Sequence, residues 1–250
     1  MIRRVAVIVP AADEQDRIAA CLAAIDDARL RLLVSELPVA RVDVFVVLDG
    51  CRDDTPAIVA RFATADHVHV ITSAARRVGA ARRLGALAAM ATDTRTERLW
   101  LANTDADSTV PPDWLIGMVR AANAGAQVVL GTVLPGAELS PLLRAAWLAS
   151  HRLHEGHPHV HGANLGIRAD TYLELGGWSG DLACDEDVDL ANRAATVAEI
   201  GILRTATIPV LTSARTAGRA PQGFSSYIRH LCEHHPGAAS VVPRVAPQLS

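Results

Sequence analysis

The sequence predicts an α/β fold in which a mostly parallel sheet is flanked by helices, and two observations support this prediction. Short apolar runs rich in Val, Ile and Leu alternate with segments of helical periodicity through the first half of the chain. This alternation is typical of strand–helix–strand units that cover both faces of a parallel sheet. Hydrophobic residues make up 50% of the 250 residues, which is enough for a large core.

The first half of the chain alternates strands with helices. Strands are predicted at 5–9, 42–48, 67–72, 98–103 and 126–131. Helices are predicted from about residue 14 to 28, from a cap at Asp54 or Thr55, near 79–91, and in a segment that PPDWL (111–115) opens. The second of these has Pro56 in its first turn, where proline is well tolerated.

The second half is less regular. A helix is predicted near 140–154, a strand in HVHGANLGIR (159–168), a helix opened by DEDVDLANRAA (185–195) and a helix within 221–235. The tail at 241–250 has no periodicity and is predicted to be loose. Because no internal repeat or low-complexity linker is found, we expect a single domain over about 1–240.

Composition excludes several classes of protein. The formal net charge is −3, which argues against general affinity for nucleic acid or anionic lipid. The chain contains no lysine, so a P-loop lysine, a Schiff-base lysine and a pyridoxal-phosphate anchor are all excluded. The motifs G-x-G-x-x-G, G-x-S-x-G and H-E-x-x-H are also absent.

Cysteine usage and the first residues favour a cytoplasmic protein, with peripheral membrane association as an alternative. No C-x-x-C occurs, so the cysteines are interpreted as reduced thiols. These are Cys21, Cys51, Cys184 and Cys232. The apolar run in MIRRVAVIVP stops at Pro10 before acidic residues, which indicates a first strand rather than a signal peptide. No apolar stretch is long enough to span a bilayer.

Polar residues follow the predicted strands, and the pair Asp105 and Asp107 directly follows an apolar run. In extended backbone these two side chains point to the same side, where their charges repel unless a cation lies between them. A turn is one explanation of the pair, and a divalent cation is the other. In parallel sheets ligands bind beyond the carboxyl ends of the strands, so we expect a site at these exits.

The exits, in their order along the chain, resemble the inverting, metal-dependent glycosyltransferases of family 2, which have the GT-A fold. The resemblance covers about residues 5–195. It rests on VIVPAADE, VVLDGCRDDT, GAARRLGAL, NTDADS, HGANLGIRADTYLELGGW and DEDVDLANR. It implies a Rossmann-like, mostly parallel sheet, with a nucleotide-binding half at about 1–125 and an acceptor-binding half at about 126–240. The implied reaction moves one sugar from a nucleoside-diphosphate sugar to an acceptor hydroxyl.

The resemblance assigns donor-binding roles. Asp49 would accept a hydrogen bond from a ring N–H of the base, most readily uracil, since a carboxylate only accepts; a turn or cap role is the alternative. Arg82 would lie near the diphosphate, although a solvated charge is an alternative for the arginines of this segment. Gly79 would let the backbone approach the ligand, or would only begin a helix. The remaining residues expected to shape this pocket are Pro10, Ala11 and Glu14.

The resemblance also implies a divalent cation, Mn2+ or Mg2+. Asp107 would bind the ion that bridges the two phosphates, and Asp105 would contact the ribose or support the ion. His234 or His230 is the candidate third ligand. An independent metal site in the histidine-rich segment 151–161 is an alternative use of those histidines, but their spacing fits no standard ligand set.

Four acids lie between residues 185 and 189, more than capping and dipole complementarity require. By its position in the family motif, Asp187 would be the general base, with Glu186 and Asp189 orienting the loop or the acceptor. Helix capping, with Asp185 as the cap, is the alternative. The candidate acceptor-binding residues are His161, Gly162, Asn164, Trp178 and Glu186. Trp178 would stack on a sugar ring or fill the core.

The chain departs from the family pattern at Leu48, where a paired aspartate is usual, and at Arg83, where asparagine is usual. It lacks the Q-x-x-R-W signature of processive synthases; Arg215 and Arg219, in that general area, are candidates to close over the diphosphate. We therefore expect single-sugar addition to an acceptor whose identity stays open. A nucleotidyltransferase on a similar fold and a non-catalytic sugar-nucleotide or metal-binding protein are the alternatives.

Overall fold

The computed structural model describes residues 1–92, 95–151, 153–215 and Ile228. Contacts divide the chain into two compact units. The first comprises Met1–Leu134 and His154–Thr212, and the second comprises Pro135–Leu153 and Ser213–Ser250. The single domain predicted over 1–240, with its two halves, stays a prediction.

Through residue 135 the strands and helices follow the predicted order, except that the two-residue strand at Ser108–Thr109 was not predicted. The strands are β1 Arg4–Ala11, β2 Arg41–Asp49, β3 Val68–Ser73, β4 Leu99–Asn103, β5 Ser108–Thr109, β6 Val128–Pro135, β7 Leu165–Arg168 and β8 Ile202–Thr212. The helices are α1 Ile18–Leu33, α2 Thr55–Phe62, α3 Val78–Ala91, α4 Trp114–Asn123, α5 Pro141–Ser150, α6 Ala169–Glu174 and α7 Glu186–Ala195. Short 3₁₀ turns occur at Thr96–Arg98 and Gly162–Asn164.

Within the described residues, the strands form one eight-stranded sheet in the order β3-β2-β1-β4-β7-β6-β8-β5. The pairs β1–β2, β1–β4 and β2–β3 are parallel. Strand β7 is antiparallel to both β4 and β6, and β5 is antiparallel to β8. The predicted α/β fold class with a mostly parallel sheet is confirmed.

Alternating side chains of β1 enter different hydrophobic clusters. Val5, Val7 and Val9 pack in the cluster that contains residues of α1 and α4. Ala6 and Ile8 pack in the cluster that contains residues of α3, α6 and α7. Since successive side chains of a strand point to opposite faces, the sheet separates these clusters. A strand buried on both faces needs a continuous apolar run, which explains why residues 5–11 of β1 and 44–48 of β2 are apolar.

Several predictions for the second half were wrong in detail. The strand predicted over 159–168 forms only at Leu165–Arg168, because the chain turns at Gly162–Asn164, where the Asn164 N–H bonds the His161 carbonyl at 2.9 Å. The helix predicted near 140–154 ends at Ser150, since His151 has extended dihedrals. Strand β8 was not predicted; it contains Pro209, a residue that argues against a strand within a sheet. The short helix α6 was also missed.

In the second unit, α5 begins at Ser140, whose hydroxyl accepts the Leu143 N–H at 3.4 Å. Pro141 follows in the first turn, as is usual for proline. Trp147 is buried, and its ring stacks on His151 with centroids 4.0 Å apart. In the described part of the chain, no helix combines the length and apolarity that crossing a membrane requires.

Some predicted features lie outside the described residues. These are the helix at 221–235 apart from Ile228, the tail at 241–250, Arg219, His230, Cys232 and His234.

Candidate active site

The carboxyl ends of four strands meet at one edge of the sheet. The register pairs Ala11 with Leu48, Asp49 with Ser73, and Ile8 with Asn103, so β1 to β4 end near one another. The segments that follow these strands are 12–15, 50–54, 74–77 and 104–107. These are the exits at which the sequence predicted a ligand site.

The loops after β1 and β2 are tied together by hydrogen bonds. The Glu14 N–H bonds the Thr55 hydroxyl at 2.7 Å, and the Gln15 N–H bonds the Asp53 carboxylate at 3.0 Å. Pro10 is half-buried, whereas Ala11 and Glu14 are buried. The residues predicted to shape the donor pocket therefore lie on a braced pair of loops at this edge.

Asp49, the last residue of β2, is buried and holds the segment that leads into α3. Its Oδ1 accepts the Arg76 N–H and its Oδ2 accepts the Arg77 N–H, both at 3.0 Å. Each carboxylate oxygen can accept more than one hydrogen bond, so these contacts leave capacity for a ligand. The prediction that Asp49 reads the base stays a prediction.

Arg82 on α3 joins two acids that are far apart in the sequence. Its guanidinium donates to Asp105 Oδ1 at 2.5 Å and, through its other terminal nitrogen, to Glu186 Oε1. The guanidinium also lies 5.2 Å from the ring centroid of Trp178, within the range of a cation–π contact. Burial alone would lower the pKa of Arg82, but Asp105, Glu186 and Asp187 raise it. Arg82 is thus a permanent cation among carboxylates, and its predicted contact with a diphosphate stays a prediction.

Two glycines allow this close packing. A Cβ at Gly162 would overlap the guanidinium of Arg82. A Cβ at Gly79 would overlap the carbonyl of Ser179 and lie 3.2 Å from Glu186 Cβ. The close approach at Gly79 is therefore to the chain itself; its predicted approach to a ligand stays a prediction.

Asp187, in the first turn of α7, has both carboxylate oxygens oriented by backbone donors. The Gly162 N–H donates to Oδ2 at 2.6 Å, and the Val188 N–H donates to Oδ1 at 2.8 Å. Asp185, directly before α7, has a left-handed φ of 62° and makes no side-chain capping bond. Helix capping by Asp185 therefore does not account for the acids of this segment.

The two acids at the start of α7 have altered proton affinity. Burial raises the pKa of Asp187, while Arg82 and the two backbone donors offset only part of this effect. Burial likewise raises the pKa of Glu186, with Arg82 lowering it and the Asp187 charge raising it further. A carboxylate with raised pKa binds a proton more tightly than an ordinary aspartate, as a general base requires.

Asp189 has a structural partner. Its carboxylate pairs with Arg193 at 2.6 Å, one helical turn along α7, and Arg193 donates to the Gly177 carbonyl at 2.8 Å. Asp189 therefore pairs within α7 and, through Arg193, stabilises the turn that precedes the loop at 179–185.

The other acceptor candidates lie in different surroundings. Asn164 is buried and donates to the carbonyls of Thr132 and Ile208, both at 2.8 Å, while it accepts the Trp114 indole N–H at 2.9 Å. Trp178 is fully buried in the core. His161 is half-buried before the 3₁₀ turn, with its ring centroid 6.0 Å from that of His159. Acceptor contacts by Asn164, Trp178 and His161 stay predictions.

Asp105 and Asp107 follow β4, and both are half-buried. The Cys21 thiol on α1 donates to the Asp105 carbonyl at 3.3 Å. Burial raises the pKa of this thiol, and the charges of Asp107, Asp105 and Glu14 raise it further. Cys21 was not singled out from the sequence, although it lies on the buried stripe of α1 with Ile18 and Ile25.

The donor set fits a hard divalent cation that is completed by substrate. Among the described residues, no group of three or more His, Cys, Asp or Glu is arranged to hold a metal ion. Mg2+ and similar ions are commonly held by one or two carboxylates together with phosphate oxygens and water. Asp107, with Asp105 beside it, meets that requirement, and His234 lies outside the described residues.

The model of glycosyl transferase family 2 matches residues 6–168, which extend from the third residue of β1 to the end of β7 and contain the exits described above. The chain belongs to glycosyl transferase family 2. It is therefore a glycosyltransferase, and the predicted family is confirmed. No protein of curated function matches the sequence.

Solved structures of other glycosyltransferases share the fold. S. aureus TarS 1-349 in complex with UDP-GlcNAc has a TM-score of 0.63 at 14% identity, over 95% of this chain and 68% of that chain. Mannosyltransferase PcManGT from Pyrobaculum calidifontis, in complex with GDP-Man and Mn2+, has a TM-score of 0.57 at 20% identity, over 99% of this chain and 66% of that chain. Glucosyl-3-phosphoglycerate synthase from Mycobacterium tuberculosis, in complex with phosphoglyceric acid, has a TM-score of 0.57 at 16% identity, over 99% of this chain and 83% of that chain. Together with the family, these likenesses confirm the GT-A fold.

Proposed function

We propose that this family 2 glycosyltransferase moves one sugar from a UDP-sugar to an acceptor hydroxyl and inverts the anomeric centre. The observation that carries the proposal is the pairing of Arg82 with both Asp105 and Glu186. This pairing brings the D-x-D exit and the start of α7 into one buried cluster. The segment that we propose to bind the metal and diphosphate and the segment that we propose to carry the base are therefore both in contact with Arg82.

In this proposal Asp187 takes the proton of the acceptor hydroxyl as the new glycosidic bond forms. Its orientation is set by the Gly162 and Val188 N–H groups, so little reorganisation is needed before proton transfer. Burial raises its pKa, which strengthens it as a base. Inversion follows from attack by the activated hydroxyl on the side of the sugar opposite the diphosphate.

Asp107 would hold the divalent cation, with Asp105 in support and diphosphate oxygens completing its coordination. When bound, such an ion neutralises the charge that develops on the departing diphosphate. Arg82 offsets part of the negative charge of Asp105 and Glu186, which reduces the repulsion of an anionic donor by these acids.

The choice of donor is supported by Asp49 and by the neighbours. A buried carboxylate at the end of β2 favours a base with a ring N–H, which uracil and guanine have and adenine lacks. TarS was solved with UDP and with UDP-GlcNAc, and PcManGT with GDP-Man. We place UDP first, with GDP as the donor base to be compared with it.

A thermal-shift panel tests the proposal. UDP-, GDP-, ADP- and CDP-sugars are each added with and without Mn2+, because a ligand that binds the native state raises the melting temperature with its occupancy. We expect the largest shift with UDP-sugar plus Mn2+ and the smallest with ADP-sugar. An equal response to all four nucleotides would contradict base selection. If the protein binds UDP-sugar but releases no UDP with any acceptor in a test panel, a non-catalytic sensor would be favoured.

A further inference from the structure

The residues that lead into α3 are fixed by the carboxylate predicted to read the base. Asp49 accepts the N–H groups of Arg76 and Arg77, each at 3.0 Å. Arg77 is the last residue before α3, and its carbonyl accepts the Ala81 N–H at 3.0 Å in the first helical turn. Asp49 therefore connects the end of β2 directly to the residues that begin α3.

The same turn of α3 contacts the loop at 179–185, which leads into α7. The Arg77 guanidinium donates to the Asp181 carbonyl at 3.0 Å, although these two residues are 104 positions apart. At Gly79 the helix backbone packs against the Ser179 carbonyl and the side chain of Glu186. Within the loop, Asp181 is exposed, as are the two residues that follow it. The guanidinium thus ties an exposed loop to the donor side of the site.

We propose that Arg77 is a positioning residue that couples occupancy of the donor site to the position of Asp187. The inference rests on the proposed function, because it takes the nucleotide to lie against Asp49. A ligand can shift a conformational equilibrium only through its preference for one state. Here the preferred state is the one in which Asp49 holds the two amides and Arg77 holds the 179–185 loop. By reciprocity, a loop that is held in place also favours nucleotide binding.

Cys184 supplies a reporter that does not depend on knowing the acceptor. It lies in the 179–185 loop, two residues before Glu186, and is half-exposed. Cleavage after Arg168 and Arg193 releases a peptide in which Cys184 is the only cysteine, so its alkylation can be followed by mass spectrometry. Buried Cys21 lies in a different peptide and reports global unfolding.

The experiment measures the alkylation rate of Cys184 by N-ethylmaleimide in wild type, Arg77→Met, Arg77→Lys and Arg83→Met. Arg83 is an exposed arginine on the same helix and serves as the matched control. Without nucleotide, we expect Arg77→Met to react about three- to tenfold faster, as for the loss of one hydrogen bond, at an unchanged melting temperature. Arg77→Lys, which keeps a donor, should recover part of the wild-type rate.

The second arm adds UDP with Mn2+. Alkylation of Cys184 should slow in wild type and in Arg83→Met, and should stay fast in Arg77→Met even though calorimetry shows that the variant binds UDP. A purely structural role would not produce this nucleotide-dependent difference. If Arg77→Met does not fold, Arg77→Gln replaces it in both arms.

Two results would overturn the inference: equal Cys184 reactivity in wild type and Arg77→Met, or nucleotide binding to wild type that leaves Cys184 reactivity unchanged. If wild type binds neither UDP nor GDP, the proposed function fails instead. The nucleotide-free comparison then still determines whether Arg77 holds the loop.

Discussion

The guanidinium of Arg82 donates a 2.5 Å hydrogen bond to the carboxylate of Asp105, and the side chain of Arg82 is only 3% exposed. The other terminal nitrogen of the same guanidinium pairs with Glu186, whose side chain is 5% exposed. A buried cation shared by two carboxylates is costly to assemble but far more costly to leave incomplete. Arg82 therefore contributes to the stability of the fold and also holds Asp105 and Glu186 in the candidate active site.

Replacing Arg82 by methionine should destabilise the protein strongly. The change removes the cation and leaves Glu186 buried without its partner, which typically lowers the free energy of unfolding by about 3–5 kcal/mol. Urea denaturation measures the effect. Arg83→Met, at the exposed neighbouring position, should stay within about 0.5 kcal/mol of wild type. Coincident unfolding curves for Arg82→Met and wild type would show that the pairing contributes little.

Removing the carboxylate of Asp107 should abolish the effect of metal on nucleotide binding. In wild type, Mn2+ should increase the thermal shift produced by UDP, because ion and diphosphate bind together. In Asp107→Ala the shift with UDP should be the same with and without Mn2+. Asp113→Ala, an exposed acid before α4, is the control and should respond as wild type does. Undiminished sugar transfer in excess EDTA would rule out the metal-dependent mechanism.

Asp187→Asn should separate catalysis from binding. The amide keeps the shape of the side chain but cannot accept the proton, so kcat should fall by about 10²–10⁴ while the UDP affinity changes little. Release of UDP with an active acceptor measures the rate, and calorimetry measures the affinity. Asp189→Asn, two residues along the helix, should retain far more activity because Asp189 pairs with Arg193. A wild-type rate in Asp187→Asn would mean that the acids of α7 are structural.

The same assignment predicts how activity depends on pH. Burial raises the pKa of Asp187, and a general base works only when deprotonated. Activity should therefore fall as the pH decreases through this raised pKa, at a pH above the ordinary aspartate value of about 3.9. The acid limb of the kcat/KM profile should be absent in the residual activity of Asp187→Asn.

Asp43 should make stability sensitive to acid. Burial alone would raise its pKa, but hydrogen bonds from His69, Arg41 and Arg4 outweigh this effect and lower it. A lowered pKa stabilises the folded state above the unfolded value of about 3.9, and this stabilisation is lost as the pH falls through the folded pKa. Asp43→Asn should be less stable than wild type at pH 7 and lose less stability between pH 5 and 3.

Urea midpoints across this pH range test the prediction for Asp43. The control is Asp66→Asn, because the Asp66 side chain is 94% exposed. Parallel pH profiles for wild type and Asp43→Asn would show that Asp43 does not carry the acid sensitivity.

The first four strands and their exits could be predicted because their signals are local. Val5, Val7 and Val9 enter one hydrophobic cluster and Ala6 and Ile8 the other, so both faces of β1 had to be apolar. Turn residues then mark the point at which each strand ends. The order of six motifs along the chain predicted the family, because each motif is a short contiguous stretch that can be recognised without knowledge of tertiary contacts.

Only the tertiary structure showed which of these residues meet. Arg82 finds Asp105 and Glu186, which lie 23 and 104 residues away, and the Gly162 amide finds Asp187. Asn164 joins β6, β8 and α4 through three side-chain hydrogen bonds. Strand β8 was not predicted from the sequence because it contains Pro209. These contacts depend on how distant strands and helices pack on one another. That packing is set by the sum of many weak interactions across the sheet, and no short stretch of sequence encodes it.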